Sequence, residues 1–185
     1  MVTRAMRRTS AKLEAHAKCS SIGSDYHMEK NEATVYVQAS FDYSHFLPEH
    51  DRCFPLHGHT SLARMEVCGN IGAGGMVIDF GDAKKILSEV LSAFDHKLVT
   101  NRRYCKAEGG RIIVSHGDYA FALPADQVCI LDGEGTCENI NDALLGLLAA
   151  RMPDNATSIS LEISEGANKG SRRTKRLRSP RRAEL

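Results

Sequence analysis

His57 and His59 flank a single glycine, Cys53 stands four positions before them, and His45 closes the preceding run of alternating residues. On a strand, side chains at i and i+2 point the same way, roughly 6–7 Å apart along the chain, so two imidazoles at that spacing can converge on one ion while a neighbouring strand supplies a third. Three protein ligands with the fourth position open is the arrangement of a catalytic rather than a structural zinc. A His-x-His pair alone is a weak sign; His45 on the inner face of the strand before it is what turns the pattern into a predicted zinc site of His45, His57 and His59. Cys53 lies in a polar loop close in sequence to that cation. Nearby positive charge favours the thiolate and makes a base or nucleophile available near neutral pH.

Two further groups could do chemistry. Asp95-His96 follows an amphipathic segment. The pair is either plain surface polarity or a carboxylate that orients an imidazole so that it moves protons, at a helix end whose dipole favours the protonated ring. Glu165 falls where an alternating apolar pattern calls for a hydrophobe. Either the strand has ended there and the carboxylate is wet, or it anchors a ligand that offers paired N–H donors, since an isolated buried carboxylate is costly.

These residues need a scaffold. Val35, Val37, Ala39, Phe41, Tyr43 and His45 alternate with mostly polar residues, the period of a half-buried strand. His57, His59, Ser61, Ala63, Met65 and Val67 repeat the pattern, and the glycines from Gly69 to Gly75 mark a hairpin connection. Met76–Ile78 reads as a short third strand. Asp79 is a candidate N-cap for a helix with Ala83, Ile86, Leu87, Val90, Leu91 and Phe94 on one face. Thr136 is a candidate cap for a second helix burying Ile140, Leu144, Leu147, Leu148 and Met152. A last strand carries Ile159, Leu161 and Ile163. Between the helices, Ile112–Val114, Tyr119–Leu123 and Val128–Leu131 are short β-prone pieces, a further hairpin or an inserted flap. The order predicts an α+β fold, an antiparallel sheet with two helices on one face.

A chain of 185 residues is most simply one domain, predicted over residues 32–166 with 97–135 as an enlarged connection. Residues 1–31 are polar and aperiodic and read as a disordered extension. Residues 167–185 read as a basic tail. From residue 166 onward eight Lys or Arg face one acid, Glu184, leaving +7 there and −6 on the rest of a chain whose total is +1. Such a block is a solvated tail or a nucleic-acid contact; the acidic remainder argues against a nucleic-acid-binding core. Six scattered cysteines with no Cys-x-x-Cys pair read as reduced thiols and a cytoplasmic setting, and no apolar run is long enough to span a bilayer.

In order along the chain, Phe41-x-Tyr43-x-His45, Cys53-x-x-x-His57-Gly58-His59, Val77-Ile78-Asp79-Phe80, Phe94-Asp95-His96, Thr136-x-Glu138-Asn139 and Glu165 resemble the 6-pyruvoyltetrahydropterin synthase / 6-carboxytetrahydropterin synthase family. The match covers Val35–Val99 closely and Thr136–Glu165 more loosely. The resemblance implies a tunnelling fold whose subunits join their sheets into a barrel, usually a homohexamer with sites between subunits. It implies zinc on His45, His57 and His59, and Cys53 as the proton-abstracting base or nucleophile working with Asp95 and His96. It implies Glu165 on the 2-amino and N3 edge of a pterin, helped by Thr136 and Glu138 of the neighbouring subunit, and 7,8-dihydroneopterin triphosphate as substrate.

The short spacing from Cys53 to His57 looks like that of the bacterial and archaeal 6-carboxytetrahydropterin synthases, which act in 7-deazaguanine (queuosine or archaeosine) biosynthesis. The alternatives are a 6-pyruvoyl synthase that eliminates triphosphate and a non-catalytic pterin- or RNA-binding module. Three features depart from the family pattern: the length of 97–135, the basic ending, and Thr60-Ser61 after the His-Gly-His.

Overall fold

In the computed structural model, residues 31–177 are described; the expectations for residues 1–30 and 178–185 lie outside them. The alternating runs form β1 (Glu32–His45) and β2 (His57–Asn70), one antiparallel ladder that runs from Glu32 opposite Asn70 to His45 opposite His57. Its period-two pattern puts Val37, Phe41, Tyr43, Met65 and Val67 on one buried face. His45, His57 and His59 share that face and end it, so the histidine cluster is built by strand register.

Asp79 caps α1 (Phe80–Leu91), its carboxylate accepting from the backbone N–H groups of Gly81 (2.7 Å) and Asp82 (3.2 Å). The buried stripe runs through Ala83, Leu87, Val90 and Leu91; Phe94 continues it from the turn beyond the helix and is 3% exposed. Thr136 caps α2 (Cys137–Ala149), its hydroxyl accepting from Asn139 N–H at 3.3 Å. Ile140, Leu144, Leu145 and Leu148 of α2 join Leu87 of α1 and the sheet residues in one core. Each fully buried Leu or Ile there contributes about 1.5–3 kcal/mol. Leu147, expected inside, is 47% exposed, because the stripe through Cys137, Ile140, Asn141, Leu144, Leu145 and Leu148 leaves it beyond its edge.

β8 (Ala156–Ser164) pairs antiparallel with β2 and carries Ile159, Leu161 and Ile163 inward. The basic ending then departs from expectation. Residues 170–176 form β9, paired with β8 from Ser164 opposite Gly170 to Ser158 opposite Arg176. The strand is invisible to apolar periodicity because it lies at an edge of the sheet and four of its seven residues are Arg or Lys, with no large apolar residue among them, as suits an exposed edge. Arg172 pairs with Glu66 and Glu162, and Arg173 with Asp142 at 3.1 Å. Buried Asn141 donates to the carbonyls of Leu161 and Ser171 (3.1 and 2.8 Å), tying α2 to both strands.

The main sheet is mixed rather than purely antiparallel, and its strand order becomes clear once the long connection is traced. α1 returns the chain so that β3 (Lys97–Asn101) runs parallel beside the end of β1, with Lys97 opposite Tyr43. The chain then leaves to form a separate antiparallel meander of β4 (Cys105–Glu108), β5 (Arg111–His116) and β6 (Tyr119–Pro124). It re-enters as β7 (Val128–Leu131), parallel to β3, giving the order β7-β3-β1-β2-β8-β9. The expected hairpin is thus one three-stranded sheet, and Val128–Leu131 belongs to the main one. Phe46, Leu98, Tyr104, Ile112 and Val114 make a second small core beneath the meander.

Met76–Ile78 is not a strand. Gly72 N–H closes a turn on the Met76 carbonyl, and Asn155 donates to the Val77 carbonyl at 3.0 Å, so side-chain and turn bonds satisfy this backbone in place of a ladder. No described helix is long and apolar enough to cross a membrane.

Candidate functional site

At the end of the buried face, Nε2 of His45 lies 3.1 Å from Nε2 of His57 and 3.2 Å from Nε2 of His59. The other ring nitrogens explain why this is more than a contact. Nδ1 of His45 faces the Gly135 carbonyl at 2.5 Å, and Nδ1 of His57 faces the Pro55 carbonyl at 2.7 Å. A carbonyl only accepts, so both Nδ1 atoms carry the hydrogen, and in neutral rings both Nε2 atoms present lone pairs to each other. Acceptor against acceptor at 3.1 Å is repulsive unless a cation sits between them. Neighbouring ligands of a tetrahedral ion bound at about 2.0–2.1 Å are about 3.3–3.4 Å apart, close to the spacing found. Backbone carbonyls orienting metal-ligating imidazoles through Nδ1 are the usual outer support of such a site.

Burial lowers the pKa of His45 below the ordinary imidazole range, against the opposing effect of the Gly135 carbonyl, and His57 and His59 lower it further. Burial also lowers that of His59. Both shifts favour the neutral ring that a metal needs.

Glu165 follows directly on β8, with its N–H held by the Lys169 carbonyl at 2.8 Å. Its side chain is 14% exposed, so it is neither a wet strand end nor an isolated buried charge. The buried Tyr43 hydroxyl donates to it at 3.1 Å, Lys169 Nζ lies 3.1 Å away, and His59 Nε2 is at 3.5 Å. Burial alone would raise the carboxyl pKa, but Lys169, His59 and Tyr43 together hold it below the usual range. Burial and then Glu165 push the Tyr43 phenol well above its ordinary value, so it stays a donor.

One cavity of about 370 Å³ brings together His45, Cys53, Thr136, Glu138 and Glu165, with Lys169 at its rim. Thr136 and Glu138 therefore share a cavity with Glu165 of their own chain, where the resemblance pointed to a neighbouring one. Cys137 lines the same space, but burial, with Glu165 and Glu138 adding to it, pushes its thiol up to about 11. It stays protonated at neutral pH and is no candidate base. Cys53 is half-buried in the loop between β1 and β2, its carbonyl accepting from Leu47 N–H at 2.7 Å and its own N–H donating to the His50 carbonyl at 3.0 Å.

Asp95 and His96 are not lining residues of this cavity. The Asp95 carboxylate accepts from Asp42 N–H at 2.9 Å and from His96 Nδ1 at 3.0 Å. The Asp42 N–H and His96 hold its pKa below the usual carboxylate range. α1 ends at Leu91, before the pair, and His96 sits in a left-handed turn (φ 57°) with 77% of its side chain exposed. It borders a second, open groove beside Asp42, Ser44, Thr60 and Lys97, which His59 of the histidine cluster also lines.

Sequence reasoning missed three supporting residues. Gly135 reveals itself only in three dimensions: a Cβ there would lie 2.7 Å from the Val99 carbonyl oxygen and 3.4 Å from His45 Cβ, so only glycine lets this carbonyl reach the ring. Tyr43 reads as core. Lys169, four residues past Glu165 in the β8–β9 hairpin, falls by composition in the basic tail.

A mixed sheet backed by two helices, with convergent imidazoles closing its buried face, defines a tunnelling-fold protein. The 6-pyruvoyl tetrahydropterin synthase family model matches residues 34–175, and the chain belongs to that family of pterin synthases. A provisionally named 6-carboxy-5,6,7,8-tetrahydropterin synthase of Pyrococcus horikoshii is 30% identical over 134 residues, 71% of this chain and 83% of the relative. The 6-carboxy-5,6,7,8-tetrahydropterin synthase of Haemophilus influenzae is 42% identical over 78 residues, 37% of this chain and 55% of that one. Among solved structures, Plasmodium falciparum 6-pyruvoyl tetrahydropterin synthase superposes with a TM-score of 0.69 at 23% identity, covering 80% of this chain and 100% of the other. At that identity the likeness speaks for the fold.

Proposed function

We propose that this chain is a zinc-dependent 6-carboxy-5,6,7,8-tetrahydropterin synthase. It would convert 7,8-dihydroneopterin triphosphate to 6-carboxytetrahydropterin with release of acetaldehyde and triphosphate, a step of 7-deazaguanine (queuosine or archaeosine) biosynthesis. The observation that carries this reading is the cavity itself, which sets Cys53, His45 of the histidine cluster and the Glu165 carboxylate around one space. The naming of the relatives above supports the carboxy product.

In this reading Glu165 accepts the 2-amino and N3 hydrogens of the pterin, a charge-assisted pair that would displace Lys169 from the carboxylate. Tyr43 holds the carboxylate from behind, and Thr136 and Glu138 border the ring. His45, His57 and His59 would hold zinc, which supplies Lewis acidity toward the oxygens of the substrate side chain. Cys53, as the thiolate, takes a proton from that side chain, and its place in a closed turn lining the same cavity as His45 suits it to do so.

Within one chain Asp95 and His96 do not line the cavity that Cys53 lines, and the family is generally oligomeric. We therefore assign them to the site of an adjoining subunit, in an assembly that the family resemblance makes a hexamer. Mixing inactive Cys53→Ala and His96→Ala subunits, dissociated and reassembled together, is then expected to restore activity to roughly a quarter of wild type, because random pairing leaves that share of interfaces with both native groups. Activity no higher than that of the separate variants would show that each chain completes its own site.

The direct test of the function is incubation of the purified protein with 7,8-dihydroneopterin triphosphate and identification of the products. Acetaldehyde with 6-carboxytetrahydropterin is expected. Elimination of triphosphate to the 6-pyruvoyl product would replace this reading with the other synthase. Absence of turnover would leave a binding module.

A further inference from the structure

The loop that carries Cys53 closes on itself only as far as Cys53, through backbone bonds among Leu47, His50 and Cys53, and the stretch that joins it to β2 lies beyond that closure. Residues 54–56 precede β2 and have no ladder partner, and Phe54 and Leu56 are 37% and 46% exposed, so burial does not fix them. What spans this stretch comes from elsewhere. Tyr119 opens β6 at the tip of the β5–β6 hairpin, paired with His116 across the turn. Its hydroxyl accepts from Leu56 N–H at 3.2 Å and donates to the Phe54 carbonyl at 3.3 Å. One phenol thus clamps the backbone on both sides of Pro55, whose own carbonyl orients His57.

The ring is seated as firmly as the hydroxyl. Tyr119 stacks on Phe46, with centroids 5.3 Å apart and planes at 21°, and meets Phe54 edge-on at 5.3 Å. Phe46 is 1% exposed and belongs to the small core with Leu98, Tyr104, Ile112 and Val114. The meander is therefore rooted beside the end of β1, and Tyr119 is where it reaches the loop. At its root, Arg103 and Tyr104 hold Glu134 (2.7 and 3.3 Å), the residue before the Gly135 carbonyl that orients His45.

We infer that Tyr119 is a positioning residue for the Cys53 loop: its hydroxyl fixes the thiol-bearing segment relative to His57, and the β4–β6 meander exists in part to present it. This rests on the reading of Cys53 as the proton-moving group. Small displacements of a reacting group are costly, about 10²-fold per ångström in favourable cases, while a surface hydrogen bond matters little to overall stability.

The test uses the full chain with Tyr119→Phe, which keeps the ring and removes both hydrogen bonds, and Tyr119→Leu, which removes the ring as well. Turnover of 7,8-dihydroneopterin triphosphate, metal content, thermal midpoint and the rate of Cys53 alkylation by iodoacetamide, resolved by peptide mass spectrometry, are measured together. For Tyr119→Phe the expected result is a fall in kcat of about tenfold, KM changed less than about twofold, metal and midpoint retained, and Cys53 alkylated several-fold faster as the loop loosens. Tyr119→Leu should fall further in kcat.

Unchanged kcat and unchanged alkylation in Tyr119→Phe would overturn the inference, as would a loss of activity that merely follows loss of metal or of folded protein. If the wild type turns over no pterin, the proposed function fails by itself. The alkylation ratio then still decides whether Tyr119 holds the loop.

Discussion

Replacing Cys53 by alanine is expected to lower kcat for 7,8-dihydroneopterin triphosphate by about 10²–10⁴-fold, the range a positioned proton-transfer group supplies. KM should change little, because the side chain is not among those that would hold the pterin. Most of the other ionisable groups that line the cavity are committed elsewhere. Cys137 is the other thiol there, and burial keeps it protonated. The Tyr43 phenol is pushed still further from ionising. Glu165 is engaged by Tyr43, Lys169 and His59, and the histidines turn their free nitrogens on one another. His50, which also lines the cavity, has its Nδ1 accepting from the Cys53 N–H at 3.3 Å, and Glu138 is assigned to the border of the ring; the Cys53 sulfur has no partner among the bonds found for it. Cys53→Ser tests the same point more gently: a hydroxyl of similar size but much higher pKa should leave the cavity intact and still lose most of the rate. A variant that turned over at the wild-type rate would remove Cys53 from the chemistry.

Much of this architecture was legible in the residues because the site is an extension of ordinary strand pattern. Period two from Val35 to His45 and from His57 to Val67 put three imidazoles on the core face before any contact was known, and the caps at Asp79 and Thr136 located both helices. Glu165 stood out because a carboxylate broke an apolar alternation. What was not legible had other causes. β9 is an edge strand whose stability comes from pairing with β8 and from ion pairs such as Arg173 with Asp142, neither of which leaves an apolar signature. β3 and β7 are short and parallel, and partners 30 positions apart cannot be read from local pattern, as with Thr100 opposite Ile130. Met76–Ile78 has the composition of a strand but takes its hydrogen bonds from a turn and from Asn155. The closeness of Gly135 to His45, and of Tyr119 to the Cys53 loop, follows from tertiary packing alone.

The account depends most on the histidine cluster. Its physical content is that two imidazoles, each with Nδ1 committed to a carbonyl, are left with facing lone pairs that a cation must satisfy. Removing His45 deletes the innermost of the three imidazoles proposed to hold the ion, which is 1% exposed and contacts both others. A site left with two ligands binds zinc far more weakly, and activity should fall with it, by about 10³-fold or more where the ion's charge stabilisation of several kcal/mol is lost. Loss of the ring also leaves the Gly135 carbonyl unpartnered, so folding is checked alongside by circular dichroism. His57→Ala, at the mouth of the cluster, separates the two effects, since it is less buried and should lose metal with little cost in stability. The most direct measurement is therefore zinc per chain, by inductively coupled plasma mass spectrometry, in the purified wild type and in folded His57→Ala. About one zinc per chain in the wild type and little in the variant is the predicted result; equal, sub-stoichiometric zinc in both would contradict the account at its centre.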